Sequence, residues 1–192
     1  MRLLDKNLQT VANTNEVKNL IKIIYKRYPA FDSLPARERF LLVASVLVND
    51  IQIREPEGPN KGAWQRIMGK FVGLSEGYAW CAIFVYFCAS AAGLQFKGLI
   101  PREAAAVRQF YKWARKNGLL TKTPKRSDLA LMLNANGTGH IGIVTQTVGS
   151  NDFVWTFEGN TSSGESGSQR DGDGAYRRTR KKSFWDFYIK VS

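Results

Sequence analysis

Histidine is almost absent from this chain: His140 is the only one among 192 residues. Any chemistry that needs an imidazole near neutral pH must use it. Cysteine is nearly as scarce. Cys81 and Cys88 are the only two, which argues against a disulfide scaffold. A chain of this length buries a core without one. No Cys/His cluster has zinc spacing, and no glycine-rich phosphate loop occurs. Asp171-Gly172-Asp173-Gly174 begins like a calcium loop, but the downstream Glu is missing and Arg177, Arg178 and Arg180 follow. No metal and no cofactor is therefore expected. Acidic residues are short as well: 16 against 28 Lys and Arg, a net charge of +12. A surface this basic suits a polyanionic partner, whether nucleic acid, wall polymer or anionic membrane surface.

No N-terminal leader is legible. In MRLLDKNLQT the apolar stretch is too short for a signal peptide, and Asp5 and Lys6 interrupt it. Gly77 to Phe96 is uncharged over 20 residues, long enough to span a bilayer. It contains Gly77, Ser90, Gly93 and Gln95 and is flanked by basic residues on one side only. A buried core helix is the expected reading, with no transmembrane segment.

What is present is apolar. Hydrophobic residues make up 44% and aromatics 12%, too much for a disordered chain. Val17, Leu20, Ile21 and Ile24 recur at helical spacing, and Leu41 to Val48 forms a second expected helix beyond Pro29 and Pro35. Residues 53 to 62 read as a loop and 63 to 72 as a short helix. Ala79 to Ala92 is the apolar helix, capped by Gly93. Arg102 to Asn117 is another, with Ala106, Phe110 and Trp113 on one face. After Asp128 the period changes. Leu129 to Leu133, His140 to Val148, Asp152 to Glu158, Tyr176 to Arg180 and Phe184 to Val191 have strand character. Residues 159 to 174 read as a mobile loop. Helices followed by hairpins predict an α+β fold with an antiparallel sheet.

Three residue types then combine. Cys81 falls in the first turn of the apolar helix, where unpaired N–H groups and the helix dipole favour a thiolate. Cys88 lies two turns on, too far for a disulfide within a helix, and reads as core. His140 begins a strand between Gly139 and Gly142, which leave room for another group. If Gly149, Ser150 and Asn151 form a three-residue loop, paired residues sum to 300. His140 then meets Asn160 and Gly142 meets Glu158. His140, Glu158 and Asn160 share one face, and Ile141, Ile143, Trp155 and Phe157 the other. A nucleophile, a base and an orienting acceptor are the parts of a cysteine-based triad. The Cys81 N–H is the expected oxyanion donor. Glu158 is the preferred orienter, because a carboxylate stabilises imidazolium better than an amide, and Asn160 the alternative. Trp80 and Tyr78 are expected to wall the cleft and bind substrate, or else to be core.

The sequence resembles the CHAP family of cysteine, histidine-dependent amidohydrolases and peptidases, within the NlpC/P60-like, papain-like group. The resemblance is carried by Gly77-Tyr78-Ala79-Trp80-Cys81-Ala82-Ile83-Phe84-Val85, by Gly139-His140-Ile141-Gly142-Ile143-Val144 and by Phe157-Glu158-Gly159-Asn160. Ile53-Arg54-Glu55 and Asn60-Lys61-Gly62 are similar to its usual lead-in. It covers about residues 50 to 185. It leaves residues 1–48, expected as a helical N-terminal extension, without an assigned role, and implies a catalytic domain over 49–192 with a papain-like fold. Gly73 to Gly77 lacks the aspartates with which some relatives bind calcium. Lys125-Arg126-Ser127-Asp128 keeps the Asp of a common Pro-Gly-Asp turn without its Pro-Gly.

The implied function is peptidoglycan hydrolysis at an amide bond, as an N-acetylmuramoyl-L-alanine amidase or an endopeptidase, in the manner of a phage endolysin. Such a protein is expected in the host cytoplasm before release to the periplasm and wall, or in the virion. Two other classes stay open: a basic nucleic-acid-binding protein with an incidental Cys and His, and a catalytically silent CHAP-like virion or scaffold protein. No motif specifies a particular nucleic acid. The basic runs at 101–126 and 177–182 suit contact with an anionic wall polymer or membrane surface.

Overall fold

The structure, a computed structural model, describes residues 1–147, 152–163 and 172–191. Six α-helices come first: α1 (Leu3–Asn7), α2 (Asn15–Arg27), α3 (Ala36–Ser45), α4 (Ala63–Phe71), α5 (Cys81–Ala91) and α6 (Val107–Lys116). Six strands follow: β1 (Leu120–Thr121), β2 (Leu129–Leu133), β3 (Gly139–Thr147), β4 (Phe153–Thr161), β5 (Gly174–Lys181) and β6 (Phe187–Ile189). They form one antiparallel sheet in the order β1-β6-β2-β3-β4-β5. The fold is α+β with helices packed on a sheet, consistent with a papain-like arrangement.

Helix α5 is the structural centre, and its composition explains why. It is apolar all round, so it has no solvent face and must be enclosed. Strands β3 and β4 cover one side, and α1, α3 and α4 cover others. Leu4, Leu8, Leu20, Ile24 and Phe40 of the first 48 residues share its hydrophobic cluster with Phe84 and Phe87. Asn7 Nδ2 donates to the Ala91 carbonyl at 3.0 Å, closing the helix C-terminus. The uncharged run of residues 77 to 96 is thus a core element, and no helix among the described residues is long and apolar enough to cross a membrane.

The sheet divides its side chains by strand alternation. Leu129, Leu131, Ile141, Ile143, Phe157 and Ile189 enter the helix-side core. Ala130, Val144, Val154, Trp185 and Tyr188 form a smaller cluster of their own. Asp128, just before β2, is buried. It accepts the N–H groups of Lys125 (2.8 Å) and Val191 (3.1 Å) and pairs with Arg37 of α3 at 3.2 Å. The Asp thus organises its turn without the Pro-Gly that commonly precedes it.

Several expected boundaries move. Helix α5 begins at Cys81, not Ala79. The helix expected from Arg102 begins at Val107, because Ala106 is extended with φ −119° and ψ 126°. Strand β4 continues through Gly159, Asn160 and Thr161, which the sequence assigns to a loop. The glycine is required there: a Cβ on Gly159 would lie 2.7 Å from Phe84 Cβ and from Trp80 Cζ3. Residues 182–184 form a 3₁₀ turn, so only Phe187–Ile189 of the last expected strand pairs. The expected hairpin loop at 149–151 lies outside the described residues, as do residues 164–171 of the expected mobile loop and Asp171 of the calcium-like motif.

Candidate active site

Cys81 is the first residue of α5, and Trp80 before it has φ −116° and ψ 14°. The first helical hydrogen bond runs from Phe84 N–H to the Trp80 carbonyl at 2.8 Å. The amides of Cys81, Ala82 and Ile83 are therefore ahead of the helical ladder. Cys81 is buried, with 4% of its surface exposed, and both cysteines are free thiols.

His140 comes from the start of β3, paired across to Met132 of β2. Its Nε2 lies 2.8 Å from Glu158 Oε2, and its ring is also hydrogen-bonded to Cys81. With Nε2 held by the carboxylate, Nδ1 is the nitrogen left for the sulfur. Ile143 pairs with Phe157 and Val144 with Thr156, so the residue numbers sum to 300 near His140. A bulge then shifts the register by one beyond Val144. Gly142 makes the approach possible: a Cβ there would lie 2.9 Å from Glu158 Cγ.

Glu158 is wholly buried and takes four hydrogen bonds from three residues. Thr156 Oγ1 donates to its Oε1 at 2.6 Å. Arg180 Nε donates to Oε1 at 2.8 Å, and Arg180 Nη2 to Oε2 at 2.7 Å. With His140, every lone-pair direction of the carboxylate is used, and a buried charge needs this. Arg180 also donates to Thr161 Oγ1 at 3.2 Å and lies over the Phe184 ring. The His140 ring stacks on Trp185, with centroids 6.1 Å apart and planes 18° from parallel.

The electrostatics follow from these contacts. Burial by itself disfavours a charged imidazole. The charge of Glu158 and the hydrogen bonds to Cys81 and Glu158 outweigh it and bring His140 up from 6.5 to about 9. Burial likewise pushes the Glu158 carboxyl up, but the His140 charge and the Arg180 hydrogen bond prevail and hold it at about 2. The two shifts agree in describing an ion pair. Cys88, two turns along α5, belongs to the hydrophobic cluster, and burial pushes its thiol well above the ordinary range.

The remaining expected residues fare differently. Asn160 is buried with its Oδ1 unpartnered. It sits at a second bulge, between Glu158 and Thr161, with a left-handed φ of 53°. The bulge interrupts the alternation that would have set Asn160 beside Glu158 on one face. Trp155 also leaves its expected company. Ile141, Ile143 and Phe157 enter the helix-side core, whereas Trp155 lies half-buried under the Arg177 guanidinium, 4.1 Å from the ring centroid. Trp80 does not wall a cleft. It is 1% exposed and its Nε1 donates to Glu55 Oε1 at 2.7 Å, so its polar end is satisfied inside the protein. Tyr78 is 56% exposed, three residues before Cys81. Thr156, Arg180 and Trp185 were not expected at the site. Their only sequence signal is a strand period through Arg178 and Arg180, and an aromatic cluster beside a basic run. No group of acidic, Cys or His residues able to hold a metal occurs among the described residues.

Residues 73–160 match the model of the CHAP domain. The matched stretch runs from the turn before α5 to the end of β4 and holds Cys81, His140, Glu158 and Asn160. No curated protein and no solved structure matches the chain.

Proposed function

We propose that this chain, whose residues 73–160 match the CHAP domain, is an amidase- or peptidase-type hydrolase of peptidoglycan that cleaves amides through Cys81, His140 and Glu158. The observation that carries it is the relay itself: a sulfur at a helix start, hydrogen-bonded to an imidazole whose other nitrogen is held by a buried carboxylate.

Cys81 Sγ attacks the carbonyl carbon of the scissile amide with its proton already held on the His140 imidazolium. The carbonyl oxygen takes up negative charge and is met by the Cys81 backbone N–H. As the intermediate collapses, the C–N bond breaks and His140 returns the proton to the departing amine. A thioester remains. Water attacks it with His140 as base, releasing the carboxylic acid and restoring Cys81. Glu158 holds the ring throughout and keeps the imidazolium favourable. Arg180 and Thr156 are positioning residues that fix Glu158. Tyr78, exposed and three residues before Cys81, contacts substrate. An N-acetylmuramoyl-L-alanine amidase or an endopeptidase fits equally, and a phage lysin acting at the wall is the setting we favour.

The experiment is mass spectrometry of purified Gram-negative peptidoglycan after digestion. New peptide N-termini mark an endopeptidase, and freed lactyl ends an amidase. Clearing by the Cys81→Ala protein at the wild-type rate would overturn the mechanism. One observation favours a second reading, a catalytically silent member: Cys81 and His140 are only 4% and 1% exposed. Rapid alkylation of Cys81 at neutral pH is expected of the enzyme, and an inert thiol of the silent protein.

A further inference from the structure

Glu55 is a half-buried carboxylate that the mechanism above does not use. Among the described residues no cation pairs with it, and its oxygens are met by N–H groups instead. Trp80 Nε1 donates to Oε1 at 2.7 Å, and the backbone N–H of Asn60 donates to Oε2. Burial pushes the carboxyl up from its ordinary value, and the two donors oppose that shift. Hydrogen bonds to a charged acceptor are the strong ones, so this carboxylate fixes two separate segments at once.

Both segments lead to the sulfur. Trp80 directly precedes Cys81, and no side chain caps α5 there. What holds residue 80 is its indole. The Phe84 ring meets it edge-on, with centroids 6.3 Å apart and planes at 71°. The Gly159 backbone lies against it as well, close enough that a Cβ there would come within 2.7 Å of Trp80 Cζ3. Gly159 adjoins Glu158, so the indole sets the gap between the helix start and the strand that carries the acid. The second segment arrives from upstream. Gly77 N–H donates to the Asn60 carbonyl at 3.0 Å, so residues 77–80 are tied to Glu55 at both ends. Glu55 is itself anchored to the end of β4. Its N–H donates to the Asp173 carbonyl, and Asp173 N–H to the Thr161 carbonyl, each at 3.0 Å.

We propose that Glu55 is a positioning residue for the nucleophile: acting through the Trp80 indole, its carboxylate sets Cys81 against His140. The inference rests on Cys81 being the nucleophile of the proposed hydrolase. Glu55 touches neither the sulfur nor the imidazole, so it takes no part in proton transfer. It fixes the peptide that joins residues 80 and 81, and with it the direction of the Cys81 N–H and the reach of the sulfur to the imidazole. A misplacement of about 1 Å at a reacting group can cost about 10²-fold in rate. Removing the tie therefore acts on reactivity, and not only on the comfort of a buried indole.

The test reads the sulfur directly. Full-length protein is treated with iodoacetamide at neutral pH as wild type, Glu55→Gln, His140→Ala and the double variant, and peptide mapping follows Cys81 and Cys88 separately. Glu55→Gln keeps the shape and leaves one oxygen for two donors. Cys81 labelling is expected to slow about tenfold in the otherwise wild-type protein. In the His140→Ala background it should not slow further, because the contact that Glu55 maintains is already gone. Trp80→Phe removes the donor at the other end of the bond, so the test stands even if Glu55→Gln does not fold. It should bring the same loss, and the Glu55→Gln, Trp80→Phe double no more than either alone. A merely structural Glu55 acts in the opposite direction: loosening exposes the buried thiols and speeds their labelling with or without His140. That result, an unchanged Cys81 rate, or additive losses in the Trp80 double would overturn the proposal. Wall digestion separates the two claims. Equal cutting by wild type and Glu55→Gln sinks the role of Glu55 and leaves the hydrolase. Labelling that follows Glu55 and His140 in a protein that cuts no wall sinks the peptidoglycan reading and leaves Glu55.

Discussion

The two cysteines of α5 sit two turns apart on one helix, and both are buried. Cys81 leads the helix, ahead of its hydrogen-bond ladder and bonded to His140. Cys88 lies mid-helix in the hydrophobic cluster, where burial outweighs a backbone hydrogen bond and pushes its thiol well above the ordinary range. The same side chain is thus poised for chemistry at one position and is packing at the other. What differs is a helix end and one imidazole. The comparison breaks most sharply with Cys81→Ala, expected to lower peptidoglycan hydrolysis by about 10⁴-fold or more, since the nucleophile has no substitute. Circular dichroism should stay unchanged. Residual clearing near wild type would remove Cys81 from the reaction.

The next effect lies one bond further from the sulfur. Glu158→Gln keeps the shape of the side chain and removes the charge that raises His140. A loss of about 10²- to 10⁴-fold in kcat is expected, and the pH profile gives the sharper reading. In the wild type the imidazolium persists up to about pH 9, so the alkaline limb of kcat falls there. Without the Glu158 charge, burial governs the ring, and the limb moves to lower pH. An unmoved limb would mean that another group sets it. The same pair shapes stability. His140 is raised from 6.5, so its contribution is complete below that pH and is lost as pH rises through about 9. Glu158 is lowered from 4.5, so its contribution is complete above that pH and is lost as pH falls towards about 2. Thermal melts should show the pair's full contribution between those ordinary values, and Glu158→Gln should flatten both flanks.

Arg180→Met probes the far end of the relay. It leaves a buried carboxylate short of two hydrogen bonds, and a loss of about 3 kcal/mol in unfolding free energy is expected. Denaturant unfolding measures it. Arg180→Lys restores the charge without the fork and should recover only part of the loss. Full recovery would show that charge, not the paired geometry, holds Glu158.

Why the sequence discloses Cys81, His140 and Glu158 but not Arg180 has a physical reason. A helix start, a solitary histidine and a period of two are local signals. They place a thiol, an imidazole and a carboxylate with little knowledge of the rest of the chain. Arg180 stands in a run of cations, residues 177 to 182, with no local sign that any of them is buried. Arg177, Thr179 and Lys181 are exposed, while Arg178 and Arg180 are buried. Which half turns inward depends on a carboxylate 22 residues away. For Trp80 the local pattern leaves cleft wall and core both open, and the bond that satisfies its buried ring nitrogen comes from Glu55, 25 residues upstream. The fold divides similarly. The apolar helix and the hairpin of β3 and β4 are legible, being dominated by local pattern. The place of β6 between β1 and β2 is not, because it is fixed by pairing with residues far back in the chain. At Asn160 the bulge defeats alternation, and nothing local announces a bulge except an Asn able to take a positive φ.

The smallest effect completes the comparison within α5. Cys88→Ala removes one sulfur from a packed interior, a change worth about 1 kcal/mol of stability with no loss of hydrolysis. In the folded wild type, an alkylating agent at neutral pH should label Cys81 and spare Cys88, as peptide mapping would reveal. His140→Ala should then slow labelling of Cys81, because the sulfur loses the partner that takes its proton, and leave Cys88 protected. Equal labelling of both thiols would show that local opening, rather than the helix end and the imidazole, decides which cysteine reacts.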